Sequence, residues 1–176
     1  MCASGANIPR KAADLRVNLG GGKTVALSQY SGKVVAALFI LTTCPHCQAA
    51  VRCFSQEQNA LGARGFQAIA SVVEPSAARN VAGFVRQFQP PFPVGYSERR
   101  DALDFMQHAR AAPLKMPMVA FIDRAGTVRA QYEGYEDFFA EDRMAKNIHA
   151  KLLELIGPAG SGKRAAAPQG KRKDPD

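Results

Sequence analysis

Two cysteines separated by two residues are the part of this sequence best suited to do chemistry. They stand in the run Cys44-Pro45-His46-Cys47, which is followed by residues that favour a helix. Proline suits the first helical position, and residues three apart share one helix face, so the two sulfurs can form a small-ring disulfide. Unpaired N–H groups at a helix start stabilise an anion, which makes Cys44 the expected nucleophile.

The residue types between the two cysteines indicate a redox role. His46 can carry a positive charge near pH 7, and this charge stabilises the thiolate and hence the dithiol form of the pair. A stabilised dithiol makes the corresponding disulfide more oxidising. The chemistry that fits is thiolate–disulfide exchange, in which Cys44 forms a mixed disulfide with a partner sulfur and Cys47 resolves it. We therefore expect Cys44, Pro45, His46 and Cys47 to be catalytic, without a cofactor.

The same side chains could instead bind a soft metal ion. Zinc or copper could bind Cys44, His46 and Cys47, and the chain would then be a metal-binding module rather than an enzyme. A closed zinc site needs more ligands than a C-x-x-C pair supplies, and the remaining histidines, His108 and His149, lie far apart without a second such pair. The sequence therefore favours exchange chemistry, and we expect no bound metal.

The elements that must position this motif alternate along the chain. Residues 34–41 are rich enough in branched and aromatic side chains for a central strand that ends just before Cys44. Residues 14–19 and 24–27, on either side of three glycines, predict a hairpin at the start. The other expected elements are a helix over 44–61, a strand over 66–73, a helix over 76–88, an extended piece over 94–96, a helix over 101–110, a hairpin over 118–122 and 127–132, and a last helix over 138–156. This order predicts an α/β fold, with a central mixed sheet and helices on both faces.

Length and charge limit the number of domains and the kind of partner. A chain of 176 residues with 47% apolar content can bury one sizeable core. We expect a flexible N-terminus over 1–13, one domain over 14–157 and a disordered basic tail over 158–176, because Gly, Pro, Ala and Lys bury little apolar surface. Part of the net charge of +8 lies in this tail, which has no aromatic residues to stack on bases. We expect no nucleic-acid binding, and a monomer.

The ends of the chain and the other two cysteines carry weaker signals. The longest apolar stretch, 34–41, is too short to cross a bilayer, so no transmembrane segment is expected. The N-terminus has no signal-peptide pattern. Cys2 fits either the remnant of a lipid-modified N-terminus or an incidental thiol, and we favour the incidental thiol. Cys53, nine positions after Cys44, is expected on the other side of the helix as a free core cysteine.

A second landmark is the pair Met116-Pro117, which leads into the strand at 118–122. Proline suits the residue that precedes a central strand. The residues themselves do not reveal the isomer of this peptide bond, and trans is the commoner form.

Taken in order, these motifs resemble the thioredoxin superfamily, and within it the redoxin branch that includes the TlpA-like thiol–disulfide oxidoreductases. The resemblance covers about residues 14–155. It rests on Thr24-Val25-Ala26-Leu27-Ser28 followed by Gly32-Lys33-Val34-Val35, on the Cys44 to Cys47 motif, on Met116-Pro117, and on Phe121-Ile122-Asp123-Arg124-Ala125-Gly126-Thr127-Val128.

The resemblance implies a thioredoxin-like fold, a cis Pro117 that faces the dithiol, and a Met116 backbone that pairs with a substrate chain. It implies protein or small-molecule disulfides and thiols as substrates, and a redox partner that the sequence does not identify. Most relatives of this branch face the cell envelope, so the periplasm or envelope is the implied compartment, although no signal peptide is present in this sequence.

Three positions depart from the pattern of the family. Thr43 stands where relatives usually have Trp before the first cysteine, and Met116 where they commonly have Thr before the cis proline. Ala50 stands where many have Glu three residues after the second cysteine. These changes leave dithiol chemistry intact, but no carboxylate is evident near Cys47 to accept its proton.

A peroxiredoxin-like peroxide reductase is the alternative enzyme on the same fold. Its peroxide-reducing cysteine follows a threonine by three positions, whereas Leu41 stands three positions before Cys44. Cys44 itself stands three positions before Cys47. Without that threonine, the sequence favours exchange with disulfides over reduction of peroxides.

Overall fold

The computed structural model describes residues 6–109 and 111–158. Short 3-10 turns at Leu27–Tyr30, Gly62–Arg64 and Asp137–Phe139 accompany the main elements. These elements are, in chain order, β1 (Arg10–Lys11), β2 (Arg16–Gly20), β3 (Lys23–Ala26), β4 (Val34–Ile40), α1 (Pro45–Leu61), β5 (Phe66–Val72), α2 (Ala77–Phe88), β6 (Val94–Tyr96), α3 (Arg99–Met106), β7 (Met118–Ile122), β8 (Thr127–Glu133) and α4 (Met144–Ile156).

The strands form one mixed sheet in the order β1-β8-β7-β4-β5-β6-β2-β3. Strand β4 is parallel to β5 and antiparallel to β7, so it has a hydrogen-bonded neighbour on each side. All of its residues are buried, as the uninterrupted apolar run in the sequence predicts. The carboxyl end of this buried strand therefore provides a rigid base for the motif that follows it.

Three helices cover one face of the sheet. Phe54 of α1 packs on Phe121 of β7, with 6.1 Å between ring centroids. The Arg52 guanidinium of α1 lies 4.9 Å from the ring of Phe88 in α2, and α4 packs beside α1. The helix that carries the cysteines is thus held by the sheet and by a helix on each side.

Helix α3 covers the opposite face. Phe121 is paired across the strands with Ala36, so Ala36 points toward α1, and Phe39, three residues further along β4, points the other way. The Phe39 ring packs on Phe105 of α3, with centroids 5.7 Å apart. A mixed sheet with helices on both faces is therefore confirmed, and so is the early hairpin, which is formed by β2 and β3.

The last helix begins later than the sequence predicts. Helix α4 starts at Met144 instead of near Phe138, because Phe138 stacks on Tyr132 of β8 with centroids 3.8 Å apart. The side-chain amide of Asn147 donates hydrogen bonds of 3.1 Å to the carbonyls of Asp137 and Phe138. The chain between β8 and α4 is consequently a loop that is packed against the sheet.

Helix α3 is also displaced relative to the expected 101–110. It begins at Arg99 and ends at Met106, where Gln107 adopts a left-handed conformation with φ 50°. Strand β1 was not predicted, and it pairs with β8 through Arg10 opposite Val128. Among residues 6–109 and 111–158, no helix is long and apolar enough to span a membrane. Cys2, Arg110 and the tail after Pro158 lie outside the described residues.

Candidate redox site

The C-x-x-C motif lies where β4 meets α1. Cys44 is the N-cap of α1 and Pro45 its first residue, where the missing N–H of proline is not needed. The Cys44 backbone is extended, and its Sγ accepts a hydrogen bond of 3.4 Å from the Cys47 N–H. The Cys44 sulfur therefore lies at the positive end of the helix dipole, hydrogen-bonded to a backbone N–H.

The two cysteines differ in their access to solvent. Cys44 is half-buried, whereas Cys47 is fully buried and its Sγ accepts a hydrogen bond of 3.5 Å from the Leu41 N–H. Burial raises the pKa of the Cys47 thiol far above its usual range, and the neighbouring Cys44 raises it further, while the Leu41 hydrogen bond opposes the shift. Cys47 therefore keeps its proton near neutral pH, and Cys44 is the more accessible of the two sulfurs.

A carboxylate that the sequence analysis missed acts on Cys47. Glu74 follows β5 and accepts hydrogen bonds from the Thr42 N–H at 2.8 Å and the Thr42 hydroxyl at 2.6 Å. Burial raises the pKa of Glu74, but hydrogen bonds from Asn80 and Thr42 outweigh it, so the net shift is downward and the group is an anion at neutral pH. Its negative charge is one cause of the raised pKa of Cys47. Glu74 therefore supplies a negative charge that the sequence did not reveal, and its hydrogen bonds are to Thr42 and Asn80.

The sequence contains a simple signal for the position of Glu74. It is the first charged residue after the apolar run at 66–73, and the carboxyl ends of the parallel strands β4 and β5 meet at one edge of the sheet. The parallel pairing of these two strands brings Glu74 to the same edge of the sheet as Cys44, and this pairing cannot be deduced from the position of Glu74 in the sequence alone.

If Cys47 resolves a mixed disulfide at Cys44, as the sequence predicts, replacing Glu74 with glutamine is expected to speed this attack by Cys47. Because the pKa of Cys47 is raised, the rate of this step should increase with pH through the neutral range, and loss of the negative charge should move the profile to lower pH. At pH 7 we expect an acceleration of about two- to threefold, since the charge is partly screened by solvent. Stopped-flow pH jumps measure it, starting from a Cys44 mixed disulfide held at low pH, where Cys47 stays protonated.

The matched control is Glu57→Gln on α1, because Glu57 acts on Cys53 and its loss should leave the pH profile of the resolving step unchanged. A Glu74→Gln profile that moves to higher pH, or does not move, would contradict the role given to Glu74.

The structure brings His46 together with Met116 and Pro117. The Met116–Pro117 peptide bond is cis, as the resemblance implies. His46 is exposed, and it lines a groove of about 160 Å³ together with Met116 and Pro117. Residues from two distant parts of the sequence therefore form one surface next to the cysteines.

The other sulfur and imidazole groups lie apart from this surface. Cys53 is half-buried on α1 and packs against the core, and burial raises its pKa. His108 is buried with its Nε2 3.5 Å from Glu133, and Nδ1 of His149 lies 3.0 Å from Glu57. In the part of the chain that the structure describes, no group of three or more His, Cys, Asp or Glu side chains is placed to hold a metal ion.

Comparison with known proteins gives a family match and several similar structures. The sequence model of the family described as Redoxin matches residues 4–148. No curated protein sequence matches the chain. A solved structure from Chlorobium tepidum, described as the thiol:disulfide interchange protein DsbE, is 23% identical with a TM-score of 0.71, covering 85% of this chain and 97% of its own.

Two further structures agree with this result. A thiol:disulfide interchange protein of the thioredoxin family from Chlorobium tepidum TLS is 19% identical with a TM-score of 0.69, over 87% of this chain and 100% of its own. A DsbF homologue from Corynebacterium diphtheriae is 15% identical with a TM-score of 0.65, over 81% of this chain and 87% of its own. At these identities the similarity establishes a thioredoxin-like fold.

Proposed function

Because the chain belongs to the redoxin family, we propose that it is a thiol–disulfide oxidoreductase that exchanges disulfides through Cys44 and Cys47. The observation that carries the proposal is the asymmetry of the two sulfurs. Cys44 is half-buried at the helix N-terminus and accepts a hydrogen bond from the backbone of Cys47, while the Cys47 sulfur is buried. This arrangement supports Cys44 as the nucleophile and Cys47 as the resolving cysteine.

The exchange takes place in two steps. The Cys44 thiolate attacks one sulfur of the substrate disulfide, a Cys44–substrate bond forms, and the other substrate sulfur leaves as a thiolate. Cys47 then loses its proton and attacks the Cys44 sulfur, which forms the Cys44–Cys47 disulfide and releases the second substrate thiolate. The protein has lost two electrons and the substrate has gained them. The same steps in reverse oxidise a substrate dithiol.

Deprotonation of Cys47 is the demanding part of the second step. Burial holds the proton on Cys47, and the negative charge of Glu74 opposes its loss. The thiolate that leaves in the first step carries a negative charge and is the base that this chemistry itself supplies. Its proton uptake would balance the proton that Cys47 gives up.

Met116 and Pro117 are proposed to hold the substrate chain next to Cys44. They are buried residues that lead into β7, and they line the same groove as His46 of the motif. His46 is proposed to contribute positive charge near the Cys44 sulfur, which stabilises the reduced pair.

Titration of the purified protein in glutathione buffers tests the function. We expect a single two-electron transition between the Cys44–Cys47 dithiol and disulfide, with a midpoint less reducing than the −270 mV typical of thioredoxin, that is above about −270 mV. His46→Ala should make the midpoint more reducing by about 10 to 30 mV, because the charge that favours the dithiol is lost.

Acid quenching, alkylation and mass analysis report the oxidised fraction in this titration. Cys53→Ala is the control and should titrate like the wild type, since Cys53 packs against the core on α1. The proposed function fails if no Cys44–Cys47 disulfide forms at any ratio of oxidised to reduced glutathione.

A further inference from the structure

The groove next to the motif has a second wall that the proposed mechanism does not use. His46, Met116 and Pro117 form one side, and the other side is formed by residues 134–141 between β8 and α4, which we call the acidic loop. His46 stands two residues after Cys44, so a polypeptide whose disulfide reaches Cys44 would place the residues next to that disulfide near this groove. The groove is therefore positioned to distinguish substrates by the residues that flank their cysteines.

The acidic loop is held firmly against the Met116 segment. The Gly134 N–H donates a hydrogen bond of 3.1 Å to the Lys115 carbonyl. A Cβ atom at Gly134 would lie 2.2 Å from the Met116 carbonyl oxygen, so the two backbones are in direct contact. At the other end of the turn, the Glu136 side chain accepts a hydrogen bond of 2.8 Å from the Glu133 N–H. The wall is thus packed directly on the backbone of the Met116 segment.

Tyr135 projects from this wall in an unusual conformation. Its backbone has φ 68°, in the left-handed region that non-glycine residues rarely adopt, and its side chain is 85% exposed. It is the most exposed large hydrophobic residue among those the structure describes. Strained backbone and an uncovered aromatic ring at a groove are features that recur at binding surfaces. The ring offers an apolar face to a bound chain and a π-face to a cation.

The charges around the groove are mainly negative. Glu136, Asp137 and Glu141 line it, and Asp142 follows them. Arg143 and Lys115 oppose these carboxylates, since Arg143 lies 3.7 Å from Asp137 and 3.5 Å from Asp142, and Lys115 acts on Glu136. His46, on the other side of the groove, adds the positive charge proposed for it above. The four carboxylates exceed the three positive groups even with His46 charged, although the chain as a whole has a net charge of +8. The wall of the groove is therefore more negative than the chain as a whole.

We propose that this groove binds a polypeptide substrate that carries arginine next to its reactive cysteine, with the arginine between the Tyr135 ring and the carboxylates of the acidic loop. The inference rests on the proposed function and assigns it a substrate class. An arginine guanidinium satisfies both features of the wall, because it stacks on aromatic rings and pairs with carboxylates. A chain with glutamate at the same place would be repelled.

Three peptides of equal length test the inference. Each has one cysteine held as a mixed disulfide with 2-mercaptoethanol, flanked on both sides by arginine, glutamine or glutamate. Reduced protein is mixed with each peptide, and consumption of the mixed disulfide is followed by quenched chromatography. Rates are divided by those with free dithiothreitol, which removes intrinsic differences in reactivity. We expect the arginine peptide to react about fivefold faster than the glutamine peptide, and the glutamate peptide to be the slowest.

Variants of the groove and added salt test whether the preference for arginine arises from the groove rather than from the reactivity of the cysteines. Asp137→Asn combined with Glu141→Gln should reduce the arginine advantage to less than about twofold, as should about 0.5 M NaCl with the wild type. Tyr135→Asn removes the ring while keeping a residue type that tolerates the left-handed conformation, and should slow the arginine peptide about threefold. Glu154→Gln, near the far end of α4, is the matched control and should change nothing.

The small neutral disulfide of 2-mercaptoethanol distinguishes a failure of the groove inference from a failure of the proposed function. All of these variants should reduce it at the wild-type rate. If the wild type reduces it but shows no normalised preference for arginine, or if the preference survives both high salt and the double variant, the groove inference is overturned and the function stands. If the wild type exchanges with none of the disulfides, both are overturned.

Discussion

Replacing Cys47 with alanine is expected to stop turnover and leave substrates joined to Cys44 as stable mixed disulfides. The Cys47 sulfur is buried at the start of α1, where it accepts a hydrogen bond from the backbone of Leu41. Without the Cys47 sulfur, only an external thiol can cleave the Cys44–substrate disulfide. We expect steady-state disulfide exchange to fall by at least about a hundredfold, while the first, single-turnover attack by Cys44 continues. Non-reducing gels and mass analysis of the adducts measure both effects.

Two companion variants assign the steps to individual sulfurs. Cys44→Ala should give neither turnover nor adducts, because Cys44, the half-buried sulfur at the helix N-terminus, is the proposed nucleophile. Cys53→Ala should behave as the wild type. Adducts that persist in Cys44→Ala would show that another residue is the nucleophile. Normal turnover in Cys47→Ala would show that another group resolves the intermediate.

The second large effect is expected from Gly134→Ala. The added Cβ would lie 2.2 Å from the Met116 carbonyl oxygen and 2.6 Å from its carbonyl carbon, and these atoms belong to backbone that cannot rotate away. We expect the free energy of unfolding to fall by about 2 to 3 kcal/mol, as for other overpacked sites. The shift of the Met116 segment should also slow exchange with peptide substrates more than exchange with small disulfides. Urea unfolding and the two rate measurements test this.

Gly83→Ala on α2 is the matched control. The nearest atom to a Cβ at Gly83 is Nη2 of Arg86 at 4.0 Å, and the site is exposed. Alanine there should stabilise the protein by about 0.5 to 1 kcal/mol through helix propensity. If Gly134→Ala unfolds at the same urea concentration as the wild type, the close contact between the acidic loop and the Met116 segment is not what holds this part of the fold.

The parts of the fold that were predicted correctly are those encoded locally. Strand β4 is a continuous apolar run, α1 starts at a proline and contains residues that favour a helix, and β7 and β8 are joined by a short turn. Each signal lies within one segment. The start of α4 was wrong because Phe138 is held by Tyr132 on the sheet, a contact that helix propensity does not contain. Strand β1 was missed because two residues cannot show a periodic pattern.

The same distinction separates the parts of the candidate site. Cys44 and Cys47 are three positions apart, so their proximity on one helix turn follows from the sequence. The cis bond at Pro117 came from the resemblance, not from the residues. Glu74 and Tyr135 reach the site only because β5 and β8 take particular places in the sheet. Their contribution could not be predicted until the order of the strands was known.

The order of strands in the sheet also has a consequence for the newly made chain. Strand β1 pairs with β8, and β4 pairs with β7, so much of the sheet joins segments that are far apart in sequence. Such pairings form slowly, and on the ribosome they must wait until the later strand has been synthesised. During this interval the cysteine motif has been made but its second sulfur is not yet enclosed. The burial of Cys47, which shields its sulfur from oxidants, is therefore a property of the completely folded domain and is acquired late in biosynthesis.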